Sequence, residues 1–467
     1  MSSLMEERKK EVEEERIEVA RQVARFVVKT DLSQIPAQVI EKGKQCILDA
    51  LGCGLYGQEF EATKIVCQLA REWDGQPEAT IIGVRVKVPS AMAALTNGVA
   101  IHVADYDDSS VLFRGHPTSV VLPPVLALCE RGQKSGRDLL LAYILGLEVG
   151  GKLGKVMGWS HYEAGWHGTG TIGTIASAAA SAKALGLDEE KTCHALAIAA
   201  SEASGIRENF GTMVKSFHAG QASFAGVLAA LLAKKGYEGS LTTFEGPSGF
   251  RRVFSGESEM SRWADELGEP YALMDVGFKR YPSCACTHTS LDALEDLRKE
   301  NFFSWEDVEE VRCSVPPLVP SILVHHEPKN GLEAKFSLEY CISAFLVQGE
   351  LDLSCFEKDA VSDPKVRKLM PRVKTVTSKD LENLMKAENL LAPVDIEIKL
   401  KNRTLSKRVQ EAKGGPSSPL RMEEVKEKFR VCSGRILSSE KVEKAIDLVS
   451  SLESLQQVNT LADTLNP

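Results

Sequence analysis

The sequence predicts a mainly α-helical protein, in which a large all-helical domain carries a smaller α+β domain. Three observations point there. Residues 118–270 are rich in Ala, Leu and Gly, with apolar positions at helical spacing and turn signals between them. Past about residue 275 apolar and polar residues alternate instead, as in Val394-Asp395-Ile396-Glu397-Ile398-Lys399-Leu400, the signature of a half-buried strand. With 467 residues and 43% hydrophobic content, the chain can bury two cores.

Taken in order, residues 5–30 read as a charged helix whose apolar positions begin near Ile17. A second helix starts near Ser33 or Pro36, carries Val39, Ile40, Ile47, Leu48 and Leu51 on one stripe, and stops at Gly52 and Gly54. Ile81-Ile82-Gly83 and Val86-Lys87-Val88-Pro89 suggest a small hairpin. Ser90 is a candidate N-cap for a helix over 91–104, which brings His102 and Asp105 to one end. Further helices are expected over 119–131, 136–155, 171–186, 189–203 and 219–235. In the smaller domain, strands are expected at 311–315, 373–376 and 394–400, with helices at 289–300 and 333–348. Residues 410–420 read as a flexible connection, 422–450 as one amphipathic helix, and the tail after Leu455 as frayed. The large domain is therefore placed at 15–275 plus 406–455, and the smaller one at 276–405.

A net charge of −9 without a basic stripe argues against nucleic acid as a partner. No apolar run is expected to reach membrane-spanning length, and the acidic start resembles neither a signal nor a transit peptide. Eleven cysteines at scattered spacings read as reduced thiols, so a soluble, cytoplasmic protein with no membrane partner is expected.

Chemistry concentrates where helix gives way to turn. Asp105-Tyr106-Asp107-Asp108 ends an apolar helix, and carboxylates there oppose the helix dipole. They could hold a divalent metal or orient histidines and substrate hydroxyls; no matching second acidic cluster favours the metal, so no metal is expected. Pro117 pushes His116 out of helical geometry, and His167 opens a second turn, so both imidazoles suit acid–base work. Gly168-Thr169-Gly170-Thr171-Ile172-Gly173 spells GxGxxG, but no strand precedes it, so no dinucleotide cofactor is expected. Gly168 and Thr169 read instead as a helix N-terminus able to face a carboxylate, with close packing as the plainer explanation. Lys215, between apolar neighbours just before a long helix, is a candidate partner for a substrate carboxylate. Lys279-Arg280 ahead of Pro282 forms an anion clamp at the domain boundary, and Cys284 is a candidate thiol there. Cys284, Cys286 and His288 lack a second ligand pair at zinc-like spacing. Tyr340, after Ala334-Lys335-Phe336-Ser337, could point a phenol into the same cleft.

Together these segments, in this order, resemble the MmgE/PrpD family over roughly residues 17–455. That family includes 2-methylcitrate dehydratase, cis-aconitate decarboxylase and iminodisuccinate epimerase. The resemblance implies a helical domain plus an α+β lid, a homodimer, and an active site between the domains. Carried over from the decarboxylase, the pocket residues fall on Asp105, His116, His167, Lys215, Lys279 and Tyr340. Two positions depart from that enzyme: Ser109 stands where it has threonine, and Cys284 where it has histidine. The expected activity is a cofactor-independent lyase that removes a proton next to a carboxylate in a small di- or tricarboxylate. Epimerisation of an iminodisuccinate-like acid is the alternative. A metal-dependent hydratase and a non-catalytic helical scaffold are the competing classes.

Overall fold

The computed structural model describes residues 19–255 and 261–467. Most of the expected residue 5–30 helix lies outside them; its described part is α1 (Val19–Lys29). The helical domain continues with α2 (Ala37–Gly57), α3 (Glu61–Glu72), α4 (Ser90–Val103), α5 (Pro117–Arg131), α6 (Gly136–Glu163), α7 (Gly168–Leu185), α8 (Glu189–Glu202) and α9 (Met213–Lys234). Ala79–Thr80 pairs antiparallel with Lys87–Val88, a hairpin whose first strand lies just before the expected Ile81-Ile82-Gly83.

The abundance of Gly and Ala has a packing cause. A Cβ on Gly98 of α4 would lie 2.9 Å from the Cα of Gly220 in α9, and one on Gly226 would lie 2.0 Å from Ser177 of α7. Backbones this close leave no room for side chains. α9 is also long and apolar enough to cross a membrane by length and composition, which corrects the expectation that no run reaches that size. Its apolar character comes from its place inside the domain, where Ala219, Ala222, Ala225, Val227 and Ala229 are buried.

The smaller domain has its own core and a four-stranded sheet. β1 (Val308–Val315), β2 (Val373–Thr377), β3 (Val394–Leu400) and β4 (Thr404–Val409) lie in the order β2-β1-β3-β4. β1 runs parallel to β2 and antiparallel to β3, and β3 is antiparallel to β4. α10 (His288–Glu300), α11 (Leu338–Gln348) and α12 (Lys379–Ala387) belong to this domain. Its core joins Leu291, Leu294, Val311, Tyr340 and Ile396. Phe210, Trp159 and Tyr162 of the helical domain pack against the same cluster, so the two domains share a wall.

The chain then returns to the helical core through α13 (Met422–Ser433), α14 (Ser439–Ser450) and α15 (Asn459–Thr464). Several expectations need correction. The 422–450 segment is two helices, because Ser438 caps a new one by accepting from the Lys441 amide. The tail is docked: Leu461 and Leu465 are buried, and the Gly83 amide donates to the Leu465 carbonyl at 2.9 Å. The 410–420 connection is tied down, with Lys413 ion-paired to Glu295 and Asp296. The sheet runs past residue 405, since β4 ends at Val409.

Candidate active site

A crevice opens between the helical domain and the lid. Asp105, His116, His167, Lys215 and Arg114 line it from one side, and Cys284, Cys286, Phe336 and Leu391 from the other. Local backbone geometry explains how these side chains come to point inward. α4 stops at Val103, and Asp105 takes a left-handed φ of 51°, two residues beyond the helix end. His116 and His167 are the N-cap residues of α5 and α7, both outside helical geometry, His167 in the extended region. The proline effect expected at His116 is therefore present. α9 starts at Met213, six residues earlier than expected, because Thr212 caps it through the Val214 amide. Lys215 consequently lies in the first helical turn.

Asp105 is the hub. Its Oδ1 accepts from Lys215 Nζ at 3.0 Å and from Lys279 Nζ at 2.6 Å, and its carbonyl accepts from Lys279 at 3.0 Å. Its Oδ2 is buried with no protein hydrogen-bond partner. Burial by itself raises this carboxyl, but the ammonium groups of Lys215 and Lys279 outweigh it and hold Asp105 well below the ordinary carboxylate range. Lys215 is brought down, chiefly by burial, despite the pull of Asp105.

The histidines have readable tautomers. His116 Nδ1 lies 2.8 Å from the Asp108 carbonyl, which can only accept, so Nδ1 carries the proton and Nε2 is left free as a base. That Nε2 lies 3.8 Å from Asp105 Oδ1. Burial, then the charge on Lys279, push His116 well below the usual histidine range. His102 donates from Nδ1 to Asp107 at 2.9 Å and accepts at Nε2 from Lys215 at 2.7 Å. His167 Nδ1 sits 3.0 Å from His218 Nδ1, so a single proton is shared between two rings. Burial, then His218, drive His167 well below the ordinary value, and burial takes His218 to about 4.

Of the expected site residues, Asp105, Ser109, His116, His167, Lys215 and Cys284 meet in the crevice. Lys279 stands behind Asp105 and faces a neighbouring cavity, which makes it a positioning residue for Asp105. Gly168 and Thr169 do not line the crevice. Thr169 Oγ1 instead accepts from the His116 amide at 3.1 Å, and a Cβ on Gly168 would lie 2.4 Å from the Arg114 carbonyl, so this turn serves close packing. Tyr340 is also corrected: its phenol donates to the Cys355 carbonyl inside the lid core. Tyr340→Phe is expected to change KM by less than about twofold while costing about 0.5–1.5 kcal/mol of stability, as read by steady-state kinetics and urea unfolding.

Sequence reasoning assigned no catalytic role to His102, Arg114 or Lys335, and read His218 as a basic neighbour of Lys215 or an ordinary capping or core histidine. Lys335 is buried, donates to the Pro282 carbonyl at 2.6 Å, and is brought by burial to about 7. His102, Asp105, Asp107 and His116 also offer ligand atoms within 4.8 Å of one another, the kind of set a divalent ion could use. In this arrangement Asp105 Oδ1 already serves two ammonium groups and Asp107 serves His102. A further cation there would repel Lys215 and Lys279.

Buried imidazoles gathered around a carboxylate that two ammonium groups share, in a crevice between two domains, form a set of groups suited to acid–base chemistry. Residues 21–262 match the MmgE/PrpD N-terminal domain and residues 281–454 the MmgE/PrpD C-terminal domain. The chain belongs to the MmgE/PrpD family and is a lyase of that type. It is 31% identical to cis-aconitate decarboxylase of Homo sapiens over 450 residues, covering 92% of this chain and 90% of that protein. With cis-aconitate decarboxylase of Aspergillus terreus it shares 27% over 472 residues, 96% of each chain. With 2-methylcitrate dehydratase of Escherichia coli K12 it shares 26% over 351 residues, 70% of this chain and 71% of that protein.

Proposed function

We propose that the protein is a cofactor-independent lyase that transfers a proton at a carbon next to a carboxylate in a small di- or tricarboxylate. The observation that carries this reading is the Asp105 hub: two ammonium groups converge on one buried carboxylate whose second oxygen is unused. Oδ2 is the acceptor left for a substrate hydroxyl or protonated carboxyl. His116 Nε2 serves as the base, and the His167–His218 pair holds the proton to be delivered from another side. Both imidazoles are hard to protonate in the free enzyme. A bound polyanion offsets the lysine charges and raises them, so the acid becomes available when substrate is present.

In a dehydration, His116 takes the α-proton and the acid protonates the departing hydroxyl. In a decarboxylation, the C–C electron pair moves onto the substrate as CO2 leaves, and the acid protonates the resulting carbanion. The full-length likeness to proteins named cis-aconitate decarboxylase favours the second outcome. Proton NMR in deuterated water, with cis-aconitate, 2-methylcitrate and iminodisuccinate in turn, tests both steps. Deuterium in the α-position and a matching product are expected, with activity unchanged by EDTA. Absence of exchange with all three acids would sink the reading, and loss of activity on chelation would favour the metal-dependent class.

We also propose a homodimer. Ile65 and Leu69 on α3, Trp73 at its C-terminal end and Phe217 on α9 are exposed large apolar residues, and Trp73 sits 6.4 Å from the ring of Phe224, which joins the two faces. The eleven cysteines, all buried and scattered along the chain, suit a reducing, cytoplasmic setting.

A further inference from the structure

Arg114 is only 7% exposed and faces the crevice, yet among the described residues it has no ion-pair partner. Its Nε is buried without a hydrogen bond. Nη1 reaches only the side-chain oxygen of Asn389 in the lid, at 3.3 Å. The guanidinium carbon sits over the Trp159 ring, 3.9 Å from its centroid. The nearby carboxylate of Asp275 is engaged elsewhere: its Oδ2 accepts from Ser110 Oγ at 2.7 Å and from the Leu112 amide at 3.0 Å. The backbone is fixed as well, with a left-handed φ of 56° and the carbonyl packed on Gly168.

A guanidinium taken out of water without a counter-ion is costly, and its planar fork matches a carboxylate in two parallel hydrogen bonds. Contact with the Trp159 ring and the bond to Asn389 restrain that fork, so less freedom is lost when an anion arrives. We propose that Arg114 binds a second carboxylate of the substrate, remote from the carbon whose proton moves beside Asp105 and His116. The inference rests on the acid-lyase reading and narrows it: the substrate carries at least two carboxylates, one at the lid edge. Through Asn389, the occupied subsite also contacts the lid, so binding there favours the closed crevice.

The test compares wild type with R114Q and R114K by calorimetry, using unreactive tricarballylate and its terminal monoamide, together with deuterium exchange. Wild type is expected to bind the acid about a hundredfold more tightly than the monoamide. In R114Q that preference falls below about threefold, and in R114K it is intermediate, because charge survives but the fork does not. Ligand-free R114Q is expected to melt no lower than wild type, since it no longer buries a lone charge. Equal weakening of acid and monoamide in R114Q, or no weakening of either, would overturn the subsite. Should R114Q fail to fold, an R114K protein with wild-type preference overturns it equally. If wild type neither binds tricarballylate nor exchanges deuterium, the acid-lyase reading itself falls. Normal binding and exchange with indistinguishable variants remove only the role of Arg114.

Discussion

Asp105→Asn is expected to lower the unfolding free energy by about 3–5 kcal/mol, because it leaves the buried Lys215 and Lys279 ammonium groups without their shared anion. The amide still accepts a hydrogen bond, so the loss isolates charge from shape. The substitution also acts on pH dependence. Asp105 holds the Lys215 charge up against burial; without it, Lys215 gives up its proton at still lower pH. Activity that needs the Lys215 cation is present below that point and lost as pH rises through it, so the alkaline limb of kcat/KM moves to lower pH. Guanidinium unfolding and a pH–rate profile check the two parts. A stability loss under about 1 kcal/mol would show that Asp105 is not the counter-ion the geometry makes it.

His116→Gln is expected to slow α-proton exchange by about 10²–10⁴-fold while leaving the affinity for tricarballylate within about threefold. The pH profile separates a base from a mere contact. His116 must be neutral to accept a proton, and burial with the Lys279 charge places its titration well below the usual histidine range. Wild-type activity therefore persists above that depressed value and falls as pH drops through it, at a lower pH than an ordinary histidine would give. In the variant this acid limb disappears. Survival of the limb at its original position would assign the base to another group.

The long helices and the sheet could be read from periodicity, and so could the four residues at helix breaks, Asp105, His116, His167 and Lys215. What could not be read was partnership. His102 lies within an apolar helix and looks like core until Lys215 and Asp107, from separate segments, are placed on its two nitrogens. Arg114 looks like a surface residue of a turn until Trp159 and the lid close over it. Tyr340 misled because adjacency to a site motif says nothing of direction: in the first turn of α11 the lid core decides where the phenol goes. β4 was missed because its alternation is mostly polar and exposed, as befits an edge strand. Two signals were present and unused: Thr212 and Ser438 are both ordinary N-caps and mark the true starts of α9 and α14.

α6 breaks at Gly158, where φ is 66° and ψ −167°, and an added Cβ would meet nothing within 4 Å. Before the break the helix is packed into the main core; after it, Trp159 and Tyr162 face the crevice. Beyond Gly158 the same short stretch therefore does two jobs: Trp159 and Tyr162 shape the ligand cavity and also the wall between the domains, and His161 ties the stretch to Thr171. Changes of ligand preference made there carry a stability cost at the domain wall that changes before the break would not.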